Sequence, residues 1–109
     1  MKRQLILGFS IVWPVLLGGC GPTTEEKVQK LFQSANGWSA TGEYDLAIKD
    51  YSEAIRLKPK HYDAWNNRGT AFKQLAIEAR SRDDFLEAKE FEARARADLL
   101  KAKALKPGD

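Results

Sequence analysis

Residues 42–59 read GEYDLAIKDYSEAIRLKP, and in this segment a turn, an amphipathic helix and a stop signal follow one another. Gly42 is the residue type that most readily adopts the left-handed conformation in which helices end. Ala47, Tyr51 and Ala54 then recur at intervals of four and three residues, which places them on one face of a helix. Pro59 cannot continue that helix, because it lacks an amide hydrogen and its ring clashes with the preceding turn. The segment therefore predicts one helix between Gly42 and Pro59.

The residues before Gly42 complete a recognisable pattern. Leu31 is large and apolar, Ala35 is small and Trp38 is aromatic. Together with the landmarks of residues 42–59, they make residues 28–59 similar to a tetratricopeptide repeat (TPR), a helix-turn-helix unit of about 34 residues. The resemblance implies an antiparallel helical hairpin, in which small residues let the two axes approach and aromatic residues fill the space between them. The landmarks that define the packing of this unit are Ala35, Trp38, Ala47, Tyr51, Ala54 and Pro59.

A second unit follows, in which the first landmarks have the family's spacing and the closing landmarks come further along the chain than that spacing predicts. The former are Trp65, Gly69 and Phe72, and the latter are Ala95, Leu99, Ala102 and Pro107. Pro59 and Pro107 are 48 residues apart, which exceeds the repeat length by about 14. Shared between two antiparallel helices, this excess adds about two turns to each. Asp83 and Asp84 stand where the chain should reverse.

We therefore predict an all-α fold of two antiparallel helical hairpins of TPR type, stacked as an α-α superhelix, with the second hairpin elongated. Repeat one covers about residues 28–61 and repeat two about residues 62–107. Ser34 and Arg68 stand where the family often has leucine, so both units depart from it at this position.

The first 20 residues are predicted to be a targeting sequence rather than a part of the folded domain. Lys2 and Arg3 precede an apolar run over residues 5–17, which is the layout of a secretory signal peptide. The run is too short for a transmembrane helix, which needs about 17 to 25 apolar residues. Its end, formed by Leu17, Gly18, Gly19 and Cys20, resembles the lipobox of bacterial lipoproteins. An ordinary signal peptide with a chance cysteine is the alternative.

The lipobox resemblance implies that residues 1–19 are cleaved and that Cys20 carries diacylglycerol and an acylated, palmitate-type amino group. Residues 20–24 would be the lipidated N-terminus and a short tether, and residues 25–109 the helical domain. Thr23 and Glu26 have the spacing of a capping box at the start of its first helix. The expected location is the bacterial envelope. The outer membrane is favoured if the host has one, because Gly21 stands where the inner-membrane retention signal is aspartate.

The charge of the mature chain argues against nucleic acid as a partner. From Cys20 onward the chain has 16 Lys or Arg and 15 Asp or Glu, whereas a nucleic-acid binder carries a basic stripe. The segment from Arg80 to the end has eight basic and seven acidic side chains. It is therefore interpreted as a solvated helix face rather than an anionic-lipid patch.

The TPR resemblance also implies an inner face, formed by the first helix of each unit. The candidate peptide-binding residues on it are Gln33, Asn36, Asn66, Asn67, Thr70, Lys73 and Gln74, beside Gln29, Phe32, Ser39 and Asp63. An amide-rich face suits hydrogen bonding to an extended peptide, although any solvated helix face has a similar composition. Only Asn67 matches the positions at which some members grip a terminal carboxylate, so that mode of binding is not expected.

Two other functions can be compared with this one. Self-assembly would use Phe91, Leu99, Leu100 and Leu105, because a two-unit array without a capping helix leaves apolar surface for another copy. Catalysis has little support, since His61 is the only histidine and is expected to be an exposed linker residue. The sequence therefore predicts a non-catalytic interaction module that binds a protein partner and the lipid bilayer. No metal and no cofactor is expected apart from the covalent lipid on Cys20.

Overall fold

The computed structural model describes residues 21–106. The signal peptide at residues 1–19 and the processing site formed by Leu17, Gly18, Gly19 and Cys20 lie outside this range, as does Pro107. These assignments stay predictions.

Four helices make up the described chain, and they run antiparallel in chain order. They are α1 (Thr24–Ala40), α2 (Tyr44–Leu57), α3 (Tyr62–Ser81) and α4 (Phe85–Leu105). Helices α1 and α2 form the first hairpin, α3 and α4 form the second, and α3 also packs against α2. Residues 21–106 contain no β-strand. The predicted all-α fold of two hairpins is confirmed.

The predicted elongation of the second hairpin is also confirmed. Counted from Val28, where the repeat pattern begins, α1 has 13 residues, whereas α3 has 20. Helix α2 has 14 residues and α4 has 21. Each helix of the second hairpin is thus seven residues longer than its counterpart, which is about two turns. Helix α1 has one further turn ahead of Val28.

That first turn begins at a capping box. The Thr23 hydroxyl accepts a hydrogen bond from the Glu26 amide at 3.1 Å, and the Thr23 amide donates to Glu26 Oε1 at 2.8 Å. Two of the four amides that no helical carbonyl can reach are thereby satisfied. The helix therefore starts three residues after Gly21, directly after its N-cap Thr23.

The two hairpin turns share one backbone geometry. In the first, Gly42 has φ 84°, the Gly42 amide donates to Ser39 O at 3.1 Å, and the Glu43 amide donates to Trp38 O at 2.8 Å. In the second, Asp83 has φ 62°, the Asp83 amide donates to Arg80 O at 3.0 Å, and the Asp84 amide donates to Ala79 O at 2.9 Å. Asp84 then caps α4 by accepting from the Glu87 amide at 3.1 Å. The reversal lies where the two aspartates predicted it.

Small residues bring the helices of the first hairpin together. Ala35, Ala47 and Ala54 are fully buried, and Tyr51 between them is 1% exposed. Ala64 of α3 joins this cluster, so the same core holds the two hairpins together. Trp38 was expected to fill space between helices, but it is 39% exposed. Its counterpart Phe72 is buried because α2 covers it, whereas no helix precedes α1 in the described chain to cover Trp38.

The two helices of the second hairpin approach each other closely at Gly69. A Cβ atom at this position would lie 2.9 Å from Leu99 Cγ and 3.1 Å from Asp98 Cβ, which is tighter than carbon atoms tolerate. Beyond it, Phe72 and Leu75 form a second cluster with Ala95, against which Phe91, Tyr44 and Ile48 pack. This cluster lies where the two extra turns of the long hairpin begin, at Leu75.

The linker between the hairpins is held by three aromatic side chains. Trp65 Nε1 donates to Pro59 O at 2.8 Å. His61 Nδ1 accepts from the Ala64 amide at 3.1 Å and so caps α3, and its ring lies 4.9 Å from the ring of Phe32. His61 lies in the linker as expected, but it is half-buried rather than exposed, because it supplies the N-cap acceptor of α3 and packs on Phe32.

Candidate functional site

A polar cavity opens between the two hairpins on the face that the sequence predicted. Its volume is about 290 Å³, and it is lined by Asn36, Ser39, Tyr44, Tyr51, Asn67, Thr70, Ala71 and Gln74. Four of the seven candidate residues therefore converge here, from α1 and α3. None of the lining side chains is charged, so the cavity offers hydrogen bonds without a field that selects cations or anions.

One amide network crosses the cavity from α2 to α3. Asn36 Oδ1 accepts a hydrogen bond from the Tyr51 hydroxyl and another, at 3.1 Å, from Asn67 Nδ2. Asn67 Oδ1 in turn accepts from Asn66 Nδ2 at 3.4 Å. Because Tyr51 is buried, Asn36 supplies the acceptor that its hydroxyl requires. The network fixes the orientation of the amides that line the cavity.

Several polar groups of the cavity have no partner within residues 21–106. The Asn36 amide nitrogen, the Ser39 hydroxyl and the Gln74 amide make no hydrogen bond in this part of the chain. Amide groups present both donors and acceptors, which is the combination that a peptide backbone presents in return. The cavity can therefore hydrogen-bond a backbone in an extended conformation.

The other candidate residues point elsewhere. Lys73 lines a cavity of about 240 Å³ between α3 and α4, beside Glu92, Arg96 and Leu99. Asn66 lines another of about 300 Å³ on the same side, with Tyr62 and Lys103. Gln33 is exposed on α1 and does not line the polar cavity. Asn66 and Lys73 therefore do not share the cavity of residues 67, 70 and 74, from which they are rotated by about 40° to 120° round the helix.

Phe32 was also expected on the inner face, and it is not available there. Its ring packs against the first core cluster and lies 5.9 Å from the ring of Tyr51. A large apolar side chain at this position gains more from joining the core than from facing a polar cavity.

The structure also reveals an ion pair that the sequence analysis missed. Arg68 Nε and Nη2 each donate to the Asp98 carboxylate at 2.8 Å, and Arg68 Nη1 donates to Ser52 Oγ at 2.9 Å. The Asp98 side chain is 5% exposed. Arg68 thus joins α2, α3 and α4, and its guanidinium lies 4.9 Å from the centre of the Trp65 ring. Its departure from the family pattern was the one available signal.

The first hairpin has the counterpart of this pair. Ser34 donates to Asp50 Oδ2 at 2.7 Å, and the two residues stand where Arg68 and Asp98 stand in the second repeat. A polar contact thus recurs between the helices of each hairpin. In the second it is charged and buried, because α2 covers it.

The outer face of α4 differs from the equivalent face of α2. On α2, Tyr44, Ile48 and Ile55 pack against α3. The corresponding positions of α4, 48 residues later, are Glu92, Arg96 and Lys103. Charged residues at these positions solvate a face that no other helix covers within residues 21–106. Helix α4 therefore presents the polar outer face that is typical of a capping helix.

The apolar patch expected on α4 is mostly covered. Phe91, Leu99 and Leu105 are half-buried, and only Leu100 is open, with 67% of its surface exposed. Phe91 stacks on Phe72 with ring centres 6.1 Å apart. Other large apolar side chains are exposed at the tip of the long hairpin, namely Ile77, Phe85 and Leu86.

Features of other functional classes were also sought within residues 21–106. This range contains no group of three or more His, Cys, Asp or Glu residues placed to hold a metal ion. None of its helices combines the length and the apolar character that crossing a bilayer demands.

The family comparison agrees with this geometry. A family model of the TPR repeat matches residues 40–75. The fold is all-α and TPR-like. The match covers α2 and the first part of α3, and it ends at Leu75, where the two extra turns of α3 begin. TPR repeats generally mediate protein–protein interactions, and the family is not enzymatic. Neither a curated protein nor a solved structure matches the chain.

Proposed function

We propose that this chain is a lipid-anchored bacterial envelope protein whose TPR-like domain is a non-catalytic protein–protein interaction module. The observation that carries the proposal is the uncharged polar cavity formed by Asn36, Asn67, Thr70 and Gln74. Its partner would be an extended segment of another protein, bound mainly through its backbone. Since no lysine or arginine lines the cavity, a terminal carboxylate is not the group that it favours.

The interaction is tested by photo-crosslinking in the native membrane, with the probe at Gln74 and a control probe at Glu90, which is exposed on α4. A partner adduct from Gln74 alone is expected. In the same strain, Thr70→Glu should lower its yield at least about tenfold, because it places an unpaired carboxylate in the cavity. The control change Lys89→Glu, on an exposed helix face away from the cavity, alters the net charge by two units rather than one and should leave the yield unchanged. Equal adducts from both probes would contradict the assignment of the site.

The anchor rests on the lipobox-like sequence and is tested separately. Mass spectrometry of the mature N-terminus should find Cys20 carrying a diacylglycerol group, and Cys20→Ala should accumulate as an unprocessed precursor. A mature protein that begins at another residue, or an unmodified Cys20, would contradict lipidation.

Self-assembly is the alternative function, and the exposure of Leu100 is the observation in its favour. Under this alternative the Gln74 probe gives self-adducts, and Leu100→Asp abolishes association. Leu100 is a better test than Leu99, since Leu99 lies against Gly69 and its replacement would disturb the fold.

A further inference from the structure

The charges of the helical domain are sorted along the helix axes. The end at which the chain enters α1 comprises residues 21–30, 53–63 and 100–106, here called the basic end. It has eight Lys or Arg side chains and four Asp or Glu. The opposite end comprises residues 40–46 and 77–92, here called the distal end, and has three basic side chains and eight acidic ones. The near-neutral count from Arg80 onward predicts a solvated face, but it averages over the two ends and so hides this separation.

Contacts between the helices bring the three segments of the basic end together. Lys58 Nζ lies 3.3 Å from Glu25 Oε1, which joins the end of α2 to the start of α1. Lys101 Nζ lies 5.9 Å from the centre of the Trp65 ring. Lys103 and Lys106 line one cavity with Tyr62, which joins the end of α4 to the start of α3.

The acidic side chains of the basic end are mostly engaged in local contacts. Glu25 pairs with Lys58, and Glu26 accepts from the Thr23 amide in the capping box. Glu53 accepts from Arg56 Nε at 2.9 Å, and this hydrogen bond lowers the pKa of the Glu53 carboxyl below its usual value. Four lysines, by contrast, have neither an ion-pair partner nor a ring contact within residues 21–106, namely Lys27, Lys30, Lys60 and Lys103.

We propose that the basic end is a docking surface for anionic lipid headgroups, which holds the domain upright on the bilayer. The inference rests on the lipid anchor proposed at Cys20, one residue before Gly21 at this same end. A cluster of Lys and Arg beside a membrane attachment point binds anionic lipid with about 1 kcal/mol per side chain. The acyl chains on Cys20 would hold the protein at the bilayer, and the basic surface would orient the domain on it.

The net negative charge of the distal end determines which end of the domain faces the bilayer. Helix α3 starts at the basic end and rises about 30 Å over its 20 residues. This is several times the distance of about 8 Å over which salt screens charges at physiological ionic strength. The acidic distal end is thus kept clear of the anionic surface. The cavity at Gln74 would then lie about 18 Å above the basic end, open to a partner.

The test uses the lipidated full chain, in which Cys20 is the only native cysteine and is occupied by lipid. Ala104→Cys places a fluorescent label at the basic end and Ser81→Cys places it at the distal end, both at exposed uncharged positions. Each protein is reconstituted in vesicles of phosphatidylcholine alone or with phosphatidylglycerol, with nitroxide-labelled headgroups as quencher. We expect quenching at position 104 but not at 81, only with phosphatidylglycerol, and its loss in high salt.

Two matched double variants distinguish docking from a general charge effect. Lys60→Glu with Lys103→Glu should lower the equilibrium constant of docking at least about fivefold per lysine. Lys49→Glu with Lys89→Glu changes the net charge equally, away from the basic end, and should have no effect. Equal quenching at positions 81 and 104, or quenching independent of phosphatidylglycerol, would overturn the proposal.

Vesicle flotation separates this proposal from the proposed anchor. Protein that floats with phosphatidylglycerol but not with phosphatidylcholine alone would contradict the lipid anchor and support the basic end. Protein that floats with both but shows quenching at neither position would contradict the basic end only. Protein that floats with neither would contradict both.

Discussion

Asn36 belongs both to the cavity and to the core, which limits its use as a probe of binding. Its Oδ1 accepts from the buried Tyr51 hydroxyl. We expect Asn36→Ala to lower the free energy of unfolding by about 1–3 kcal/mol, because the hydroxyl loses its acceptor. Tyr51→Phe in that background should recover most of the loss. Urea denaturation followed by circular dichroism measures both, with exposed Gln33→Ala as the neutral control. A double variant as unstable as Asn36→Ala would contradict the role of this hydrogen bond.

The Arg68–Asp98 pair should be the most sensitive polar contact of the fold. Removing one partner leaves the other charge buried, so Asp98→Ala is expected to destabilise the domain by about 3–5 kcal/mol. Replacing both residues by leucine should restore stability to near that of the native chain, because apolar side chains of similar volume can fill the site.

The exposed pair of Arg80 and Glu92 provides the control for this contact. Its side chains are 51% and 32% exposed, so Glu92→Ala should cost less than about 1 kcal/mol. A loss as large as that of Asp98→Ala would show that burial is not what makes the Arg68–Asp98 pair sensitive. Denaturation midpoints of the three variants decide between these outcomes.

At the scale of the elements, the two hairpin turns test the same conformation with two residue types. Asp83 adopts a positive φ that glycine tolerates better. We expect Asp83→Gly to stabilise the domain by about 0.5–1 kcal/mol, after the larger entropy of unfolded glycine is counted. Gly42→Ala should destabilise it by about 1–2 kcal/mol, although the site has room for a methyl group. Thermal unfolding measures both changes. A destabilising Asp83→Gly or a stabilising Gly42→Ala would contradict this account.

Helix number, order and length could be predicted because each depends on local signals. Gly42, Pro59 and the spacing of small residues determine where the helices begin and end, and the late return of Ala95 and Ala102 predicts the two extra turns. The direction of individual side chains was harder to predict. Lys73 and Gln74 are neighbours in sequence, yet they line different cavities, because one residue is a rotation of about 100° and α3 packs between two helices.

The remaining errors come from contacts that no local pattern encodes. Arg68 and Asp98 are 30 residues apart, and nothing in the spacing of either predicts their partnership. Trp38 has the landmark spacing of a packed aromatic, but its burial depends on whether another helix precedes α1. Sequence periodicity gives the face of a helix, whereas the neighbours of that face are a property of the whole array.

For the whole molecule, the charged face of α4 should decide whether the array ends here. Arg96→Ile with Lys103→Ile would give α4 the side chains that α2 has at Ile48 and Ile55, the face on which α3 docks. We expect this variant to associate in a concentration-dependent manner, because its α4 would expose an apolar helix-binding face that a second copy can cover. The native chain should sediment as a monomer in mild detergent at the same concentrations.

The control for this change is Lys49→Ile with Lys89→Ile, which adds the same apolar residues at exposed positions away from the groove. It should remain monomeric, because scattered apolar residues do not form a continuous docking face. If the native chain already associates and Leu100→Asp disrupts this association, α4 is an interface between copies rather than a cap. The array would then continue from one copy to the next, and self-assembly would replace the interaction module as the function of this fold.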